Sequence, residues 1–174
     1  MLNEIYHRHS IRKFTDQKIP LETINVLLKS AMQAPTARNS QCWRFIVIDE
    51  CEVLNDMTTL SPYMQMGKTA TAAILVMGDR QATSDDGYIY VDCAAAIENI
   101  LLEAVHLNIG ACWCGIAPQK ERIDLFKKYF SIDGQYLPVG LVMLGYSDQN
   151  PSFIDRFDEA KITYFKKGVT DERK

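Results

Sequence analysis

Arg8-His9-Ser10-Ile11-Arg12-Lys13-Phe14 is the stretch on which the reading of this chain turns. It gathers two arginines, a lysine, a histidine and a hydroxyl between the apolar anchors Ile11 and Phe14. Arg offers a planar fork of donors and Lys a point charge, so such a cluster can hold a phosphate or another anion. The same residues can equally form a solvated basic loop beside a helix end. Just upstream, Leu2, Ile5 and Tyr6 fit one amphipathic turn of helix opened by Asn3 as its N-cap. Downstream, Ala34-Pro35-Thr36-Ala37-Arg38-Asn39-Ser40-Gln41-Cys42-Trp43-Arg44-Phe45 reads as a polar turn running into an apolar strand.

The chain has 174 residues, the size of one domain, long enough to bury about 70% of its unfolded surface. Apolar residues make up 47% and charged residues 24%, the balance of a soluble globular protein. The net charge of −3 argues against nucleic acid as a partner, so any anion is held by local clusters of Arg and Lys. Five cysteines form no C-x-x-C pair. Cys112 and Cys114 share one face of a strand, but with no nearby His or further Cys they make no zinc site, and no metal is expected. Reduced, buried thiols point to the cytoplasm. Met1 is not followed by the apolar run of a secretory signal, and no apolar segment reaches the ~20 residues that cross a bilayer, so no membrane partner is expected.

Helices and strands alternate along the sequence. Pro20 suits a helix start, and Ile24, Leu27, Leu28, Ala31 and Met32 form the stripe of a helix that Pro35 stops. Trp43 to Ile48 reads as a strand, followed by an acidic helix start around Asp49 to Glu52. Leu60 to Lys68 has no firm period and reads as a surface segment, either over a pocket or simply a packed connection. Ala72 to Gly78 is an apolar strand, and Asp79 to Gly87 a polar loop. The strongest helix runs from Val91 to Asn108, with Gly110 as its stop and Ala94-Ala95-Ala96 allowing close approach of another backbone. Ala111 to Pro118 is a strand and turn, a helix follows around Ile123, Phe126 and Phe130, and Leu137 to Tyr146 is the last core strand. The tail 147–174 is polar yet carries Phe153, Phe157, Tyr164 and Phe165, too aromatic for a disordered end.

Protein-only catalysis finds little support. The nine glycines never occur as G-x-G, and no Walker loop, H-E-x-x-H or G-x-S-x-G is present. Asp85-Asp86 lies in a polar loop, and His106 reads as a helix-surface residue.

The two opening stretches, in this order and spacing, resemble the FMN-dependent nitroreductase family. Its members begin with Arg-x-Ser-x-Arg-x-Phe and continue with Pro-Ser/Thr-x-x-Asn-x-Gln-Pro-Trp-x-Phe. Asp92-Cys93-Ala94-Ala95-Ala96 with Asn99-Ile100-Leu101-Leu102 is similar to the family's central helix, Cys112-Trp113-Cys114-Gly115-Ile116 to the strand and turn after it, and Asp155-Arg156-Phe157 to its C-terminal basic segment. Cys42 departs from the family's Pro, Cys93 from its Ser and Ala37 from a frequent hydroxyl. The chain also lacks a longer helical insertion that shapes the substrate pocket in many members.

The resemblance implies an α+β fold, an α/β/α sandwich around a mostly antiparallel sheet. It implies a single domain over 1–174 that works as a homodimer, with FMN between the subunits and the tail 147–174 exchanged onto the partner. By the same resemblance Arg8, His9 and Ser10 hold the FMN phosphate and ribityl chain, with Arg156 as a further phosphate contact. Arg12 stands beside the flavin N1 and O2 edge, where it stabilises reduced flavin. Pro35, Thr36, Ala37 and Asn39 come from the partner subunit. Cys114, Gly115 and Ile116 cover the region of N5, with a backbone N–H directed at it. The implied activity is transfer of hydride from NAD(P)H through FMN to a nitroaromatic, quinone or similar small acceptor in two ping-pong steps. A family member specialised for another flavin reaction, a non-catalytic FMN-binding protein and a plain anion-binding module remain alternatives at this point.

Overall fold

Two runs of uninterrupted apolar sequence dictate the centre of the molecule. In the computed structural model, which describes residues 1–165, they become β2 (Ala72–Asp79) and β4 (Tyr136–Gly145). Every residue of β2 is buried, as is β4 from Leu137 onward, so both faces of the sheet are covered. β1 (Trp43–Ile48) flanks β2, and β3 (Gly110–Gly115) flanks β4. The spatial order is β1-β2-β4-β3 with every neighbouring pair antiparallel, as expected of an α+β sandwich. Pro138 sits inside central strand β4, opposite Met77, where the register shifts after Val76. A bulge there accommodates the missing N–H.

Among the described residues five α-helices clothe the sheet: α1 (Asn3–His7), α2 (Leu21–Ala31), α3 (Cys51–Leu60), α4 (Asp86–His106) and α5 (Lys120–Tyr129). α4 packs across all four strands through Ile89, Cys93, Ala96, Ile97, Ile100 and Ala104. Removing the buried side chain of Ile97 would cost about 2–5 kcal/mol. A Cβ on Gly140 of β4 would strike both Ile97 and the Trp113 indole, so glycine lets helix and indole meet over the strand. α2 lies on α4 and is clamped by polar bonds: Asn99 Nδ2 donates to the Ser30 carbonyl at 2.9 Å, and Ser30 Oγ to Glu103 Oε2 at 2.9 Å.

Several elements depart from the expectations. Asn3 is not a cap: it is the first helical residue of α1, Leu2 precedes it, and no side chain caps the end. α4 begins five residues before Val91, because Asp85 caps it by accepting a bond from Gly87 N–H. Leu60 to Lys68 is more ordered than a surface segment: Pro62–Lys68 forms a 3-10 helix that buries Met64, Met66 and Gly67. A Cβ on Gly67 would strike the Leu54 carbonyl, which is why this segment presses so closely on α3.

The tail begins by returning to its own N-terminus. Ser147 Oγ donates to the Lys13 carbonyl at 2.6 Å, Gln149 Oε1 accepts from the N–H groups of Arg12 and Lys13 at 3.2 and 3.1 Å, and Phe153 stacks on Tyr6 at 3.9 Å. From 148 to 165 every residue is exposed. The remainder of the 147–174 tail, 166–174, lies outside the described residues.

Candidate functional site

The free edge of β3 organises the site. β4 occupies one edge of this strand, and the Arg8–Phe14 stretch covers only the start of the other. Ser10 forms a parallel bridge with Ala111, and Ile11 N–H donates to the Ala111 carbonyl at 2.9 Å. Ile11 and Phe14 are the buried anchors. A side chain on Gly110 would strike Ile11 and one on Gly145 would strike Phe14, so these glycines seat the stretch against the sheet. Backbone groups alternate along a strand, so an outward Ala111 carbonyl means that Trp113 and Gly115 also face outward. Among the described residues no strand pairs with their edge.

Two clefts meet at that edge. The larger, about 800 Å³, is lined by β3, by the Pro62–Thr69 segment, by Arg12 and Lys13, and by Arg122 of α5. The second, about 540 Å³, contains Arg8, Ser10, Glu98 and Leu101 and shares Trp113 and Gly115 with the first. Both sizes are those of small-molecule sites. Gly115 is the informative residue. An ideal Cβ there would meet nothing within 4 Å, so packing within the protein does not require glycine. Glycine weakens an edge strand unless something must approach its backbone closely.

The residues expected at a cofactor distribute unevenly. Arg12, Cys114 and Gly115 line the larger cleft, and Arg8, Ser10 and Gly115 the second. Arg8 Nε lies 3.8 Å from Glu98 Oε1, and burial raises the Glu98 carboxyl above its usual range, an effect that Arg8 partly offsets. His9 faces a smaller pocket shared with His7, Gly110 and the start of the tail. Ile116 does not face the clefts: its side chain is fully buried and its N–H donates to the Val139 carbonyl at 3.1 Å. Cys114 is an inward position of the same strand. Of these three, only the Gly115 N–H is turned to the free edge, while its carbonyl accepts from Arg122 Nη1 at 3.1 Å.

Pro35, Thr36, Ala37 and Asn39 line neither cleft of this protomer. They belong to a turn fixed by Asp92 of α4, a buried carboxylate that accepts from Ala37 N–H at 3.1 Å through both oxygens and from Ser40 Oγ at 3.4 Å. Arg38, Asn39 and Gln41 all take positive φ (56, 52 and 48°). The Thr36 hydroxyl accepts from Gln41 N–H at 3.0 Å and closes the turn. Arg156 stands exposed on the tail, with no hydrogen-bond or ion-pair partner among the described residues, and lines neither cleft.

Lys13 belongs to the cluster read as able to hold an anion, and Tyr63 and Lys68 to the segment left as either over a pocket or a packed connection, which lines the larger cleft. The sequence reading gave no such role to Trp113 or Arg122, nor to Asp92 as the anchor of the turn. Arg122 carries no local signal, because on a polar helix face it looks like any solvated cation. Cys112 and Cys114 are both buried, as the sequence reading expected of its thiols. Cys112 is held down to about 7, first by a bond from the Cys114 thiol and then by the Arg12 guanidinium, whereas that bond and burial push Cys114 up. Among the described residues no group of three His, Cys, Asp or Glu is placed to hold a metal ion, and no helix is long and apolar enough to cross a membrane.

A model described as the Nitroreductase family matches residues 5–62 and 55–146. The chain is similar to a protein of Methanothermobacter thermautotrophicus provisionally named an NADH dehydrogenase/NAD(P)H nitroreductase, with 37% identity over 162 residues, 93% of this chain and 85% of that one. Among solved structures, a provisionally named NADH oxidase from Clostridium acetobutylicum shares 38% identity at a TM-score of 0.90, covering 94% of this chain and 99% of that chain. A provisionally assigned nitroreductase from Desulfovibrio desulfuricans, solved in complex with FMN, shares 27% identity at a TM-score of 0.79, covering 94% of each chain.

Proposed function

This chain belongs to the nitroreductase family, and from that premise we propose that it is an FMN-dependent oxidoreductase acting between NAD(P)H and a small acceptor such as a nitroaromatic or quinone. The observation that carries the reading is Gly115: an edge position with room where a side chain would stand and an outward N–H, set in a cleft with Arg12. A flat ring system laid against this edge uses both features, and Arg8 of the adjoining cleft suits its phosphate. FMN, when bound, supplies hydride transfer, taking electrons from the nicotinamide and passing them on in a second half-reaction.

The chain's own residues do the rest. Arg8 and Ser10, with His9 and Arg156, bind the phosphate and ribityl chain. Arg12 presents a fixed positive charge that favours the more negative, reduced form of the ring. Cys114 and Ile116 shape the strand and turn around the Gly115 N–H, which directs a hydrogen bond at the reactive ring nitrogen. Pro35, Thr36, Ala37 and Asn39 reach the same ligand from a second subunit, since their turn stands apart from the clefts of its own protomer. Exposed Leu2, Ile5, Phe157, Tyr164 and Phe165 supply apolar area for a homodimer that carries the tail across. All five cysteines are free and four are buried, in keeping with the cytoplasm.

The test is spectroscopic. Purified protein mixed with FMN becomes yellow and bleaches under anaerobic NAD(P)H, and colour returns on adding a nitroaromatic or quinone. Protein that stays yellow with both nicotinamides is an FMN-binding protein or uses another donor. Protein that takes up no FMN leaves only an anion-binding module.

A further inference from the structure

Beyond Arg12, the larger cleft holds three cations to which the reading above gives no role: Lys13, Lys68 and Arg122. Among the described residues no carboxylate lines it. Among the described residues none of these four cations has a carboxylate oxygen within 4.0 Å, whereas Arg8, Arg44 and Arg80 each have one. The chain as a whole is acidic, at −3, so this is a local concentration of positive charge. Concave walls of low dielectric focus such a field into the cavity.

Arg122 is the best defined of the three. Its Nη1 donates to the Gly115 carbonyl at 3.1 Å, and its guanidinium lies over the Tyr63 ring, 5.3 Å from the centroid. Those contacts fix its plane at the mouth of the strand edge and use one of the five N–H donors a guanidinium carries. A fixed fork with donors to spare beside a reaction edge is suited to a planar anion.

We propose that the Arg122–Tyr63 corner is a specificity element for an anionic substrate, one that carries a carboxylate or phosphate beside the ring that exchanges electrons. The inference rests on the FMN oxidoreductase reading and deepens it. Two substrates of that reaction can bring the anion, the phosphates of the nicotinamide donor or an acid group on the acceptor. Both present the same chemistry to Arg122.

The experiment uses FMN-loaded protein and follows each half-reaction by stopped-flow absorbance. In one arm the oxidised protein meets NADH or the uncharged 1-benzyl-1,4-dihydronicotinamide. In the other, reduced protein meets 4-nitrobenzoate or the uncharged 4-nitrobenzyl alcohol. Each arm yields a rate ratio, anionic over neutral, and comparing that ratio between proteins cancels the intrinsic reactivity of the reagents. In Arg122→Gln, with flavin content measured first, the ratio falls about ten-fold in at least one arm, and the arm that moves names the source of the anion. Arg122→Lys, which keeps the charge and loses the fork, falls between. Raising ionic strength about ten-fold lowers the wild-type ratio in the same arm, and this measurement decides the matter alone if the glutamine variant does not fold. Ratios that match wild type in both arms and ignore salt overturn the inference while leaving the oxidoreductase reading intact. A wild-type protein that takes up no FMN overturns both.

Discussion

The Arg8–Phe14 stretch and the Thr36–Gln41 turn both belong to the proposed site, yet they are built in opposite ways. In the first, apolar anchors hold the backbone while the polar ends project: Arg12 and Lys13 line a cleft and have no carboxylate partner among the described residues. In the second, polar groups satisfy each other. Asp92 takes the Ala37 N–H, Thr36 takes the Gln41 N–H, and three residues hold positive φ. One region leaves cations without a carboxylate partner among the described residues, and the other uses its polar groups to fix a shape. Under the proposed function, charge in the first would tune binding and potential, whereas charge in the second sustains the fold.

That contrast is most exposed at Asp92. Asp92→Ala strands the Ala37 N–H and the Ser40 hydroxyl beneath a strained turn, and a loss of about 2–3 kcal/mol is expected in urea denaturation. Stability equal to wild type would mean that the turn does not depend on its anchor. In the other region, Arg8→Ala leaves the unfolding midpoint nearly unchanged and weakens FMN about ten-fold or more in a fluorescence titration. Arg12→Ala still binds FMN, but its midpoint potential moves about 30–60 mV more negative, the equivalent of one charged contact to the reduced ring. An unaltered potential would remove Arg12 from that edge. Gly115→Ala sharpens the contrast further. Its methyl group meets only open space, so stability stays level or rises by about 0.4–1 kcal/mol while FMN uptake drops.

The smallest effect lies away from the site. The Arg80 guanidinium, bonded through Nε and Nη2 at 2.8 Å each, holds the Asp86 carboxyl below its ordinary value. With the folded value the lower one, this pair stabilises above about pH 4 and is lost as pH falls through the folded value. Both side chains are more than a third exposed, so the contribution is under about 1 kcal/mol. Asp86→Asn should lower Tm slightly at about pH 7, and the difference from wild type should shrink as pH falls through the folded value of Asp86.

Legibility in the sequence followed locality. β1 runs over the expected residues because its apolar run ends at clear turn signals, and Cys112 and Cys114 share a buried face because strand periodicity is local. The start of α4 was hidden, since Asp85 and Asp86 look like loop residues until the cap bond to Gly87 is seen. The 3-10 helix over Pro62–Lys68 has no helical period to betray it, and its buried methionines answer to α3 rather than to their neighbours in sequence. Arg122 and Asp92 acquire their roles from partners seven and fifty-five residues away, at Gly115 and Ala37. Spacing along one chain could not disclose either contact.

The uncovered length of β3 has a consequence for handling the protein. The outward backbone groups of Trp113 and the outward N–H of Gly115 form a template onto which another chain could add as a strand. The lysines and arginines around that edge oppose such self-association by repulsion, and a bound flavin would cap the same groups. Preparations stripped of cofactor and held at high salt, where the repulsion is screened, should therefore be the ones that precipitate first.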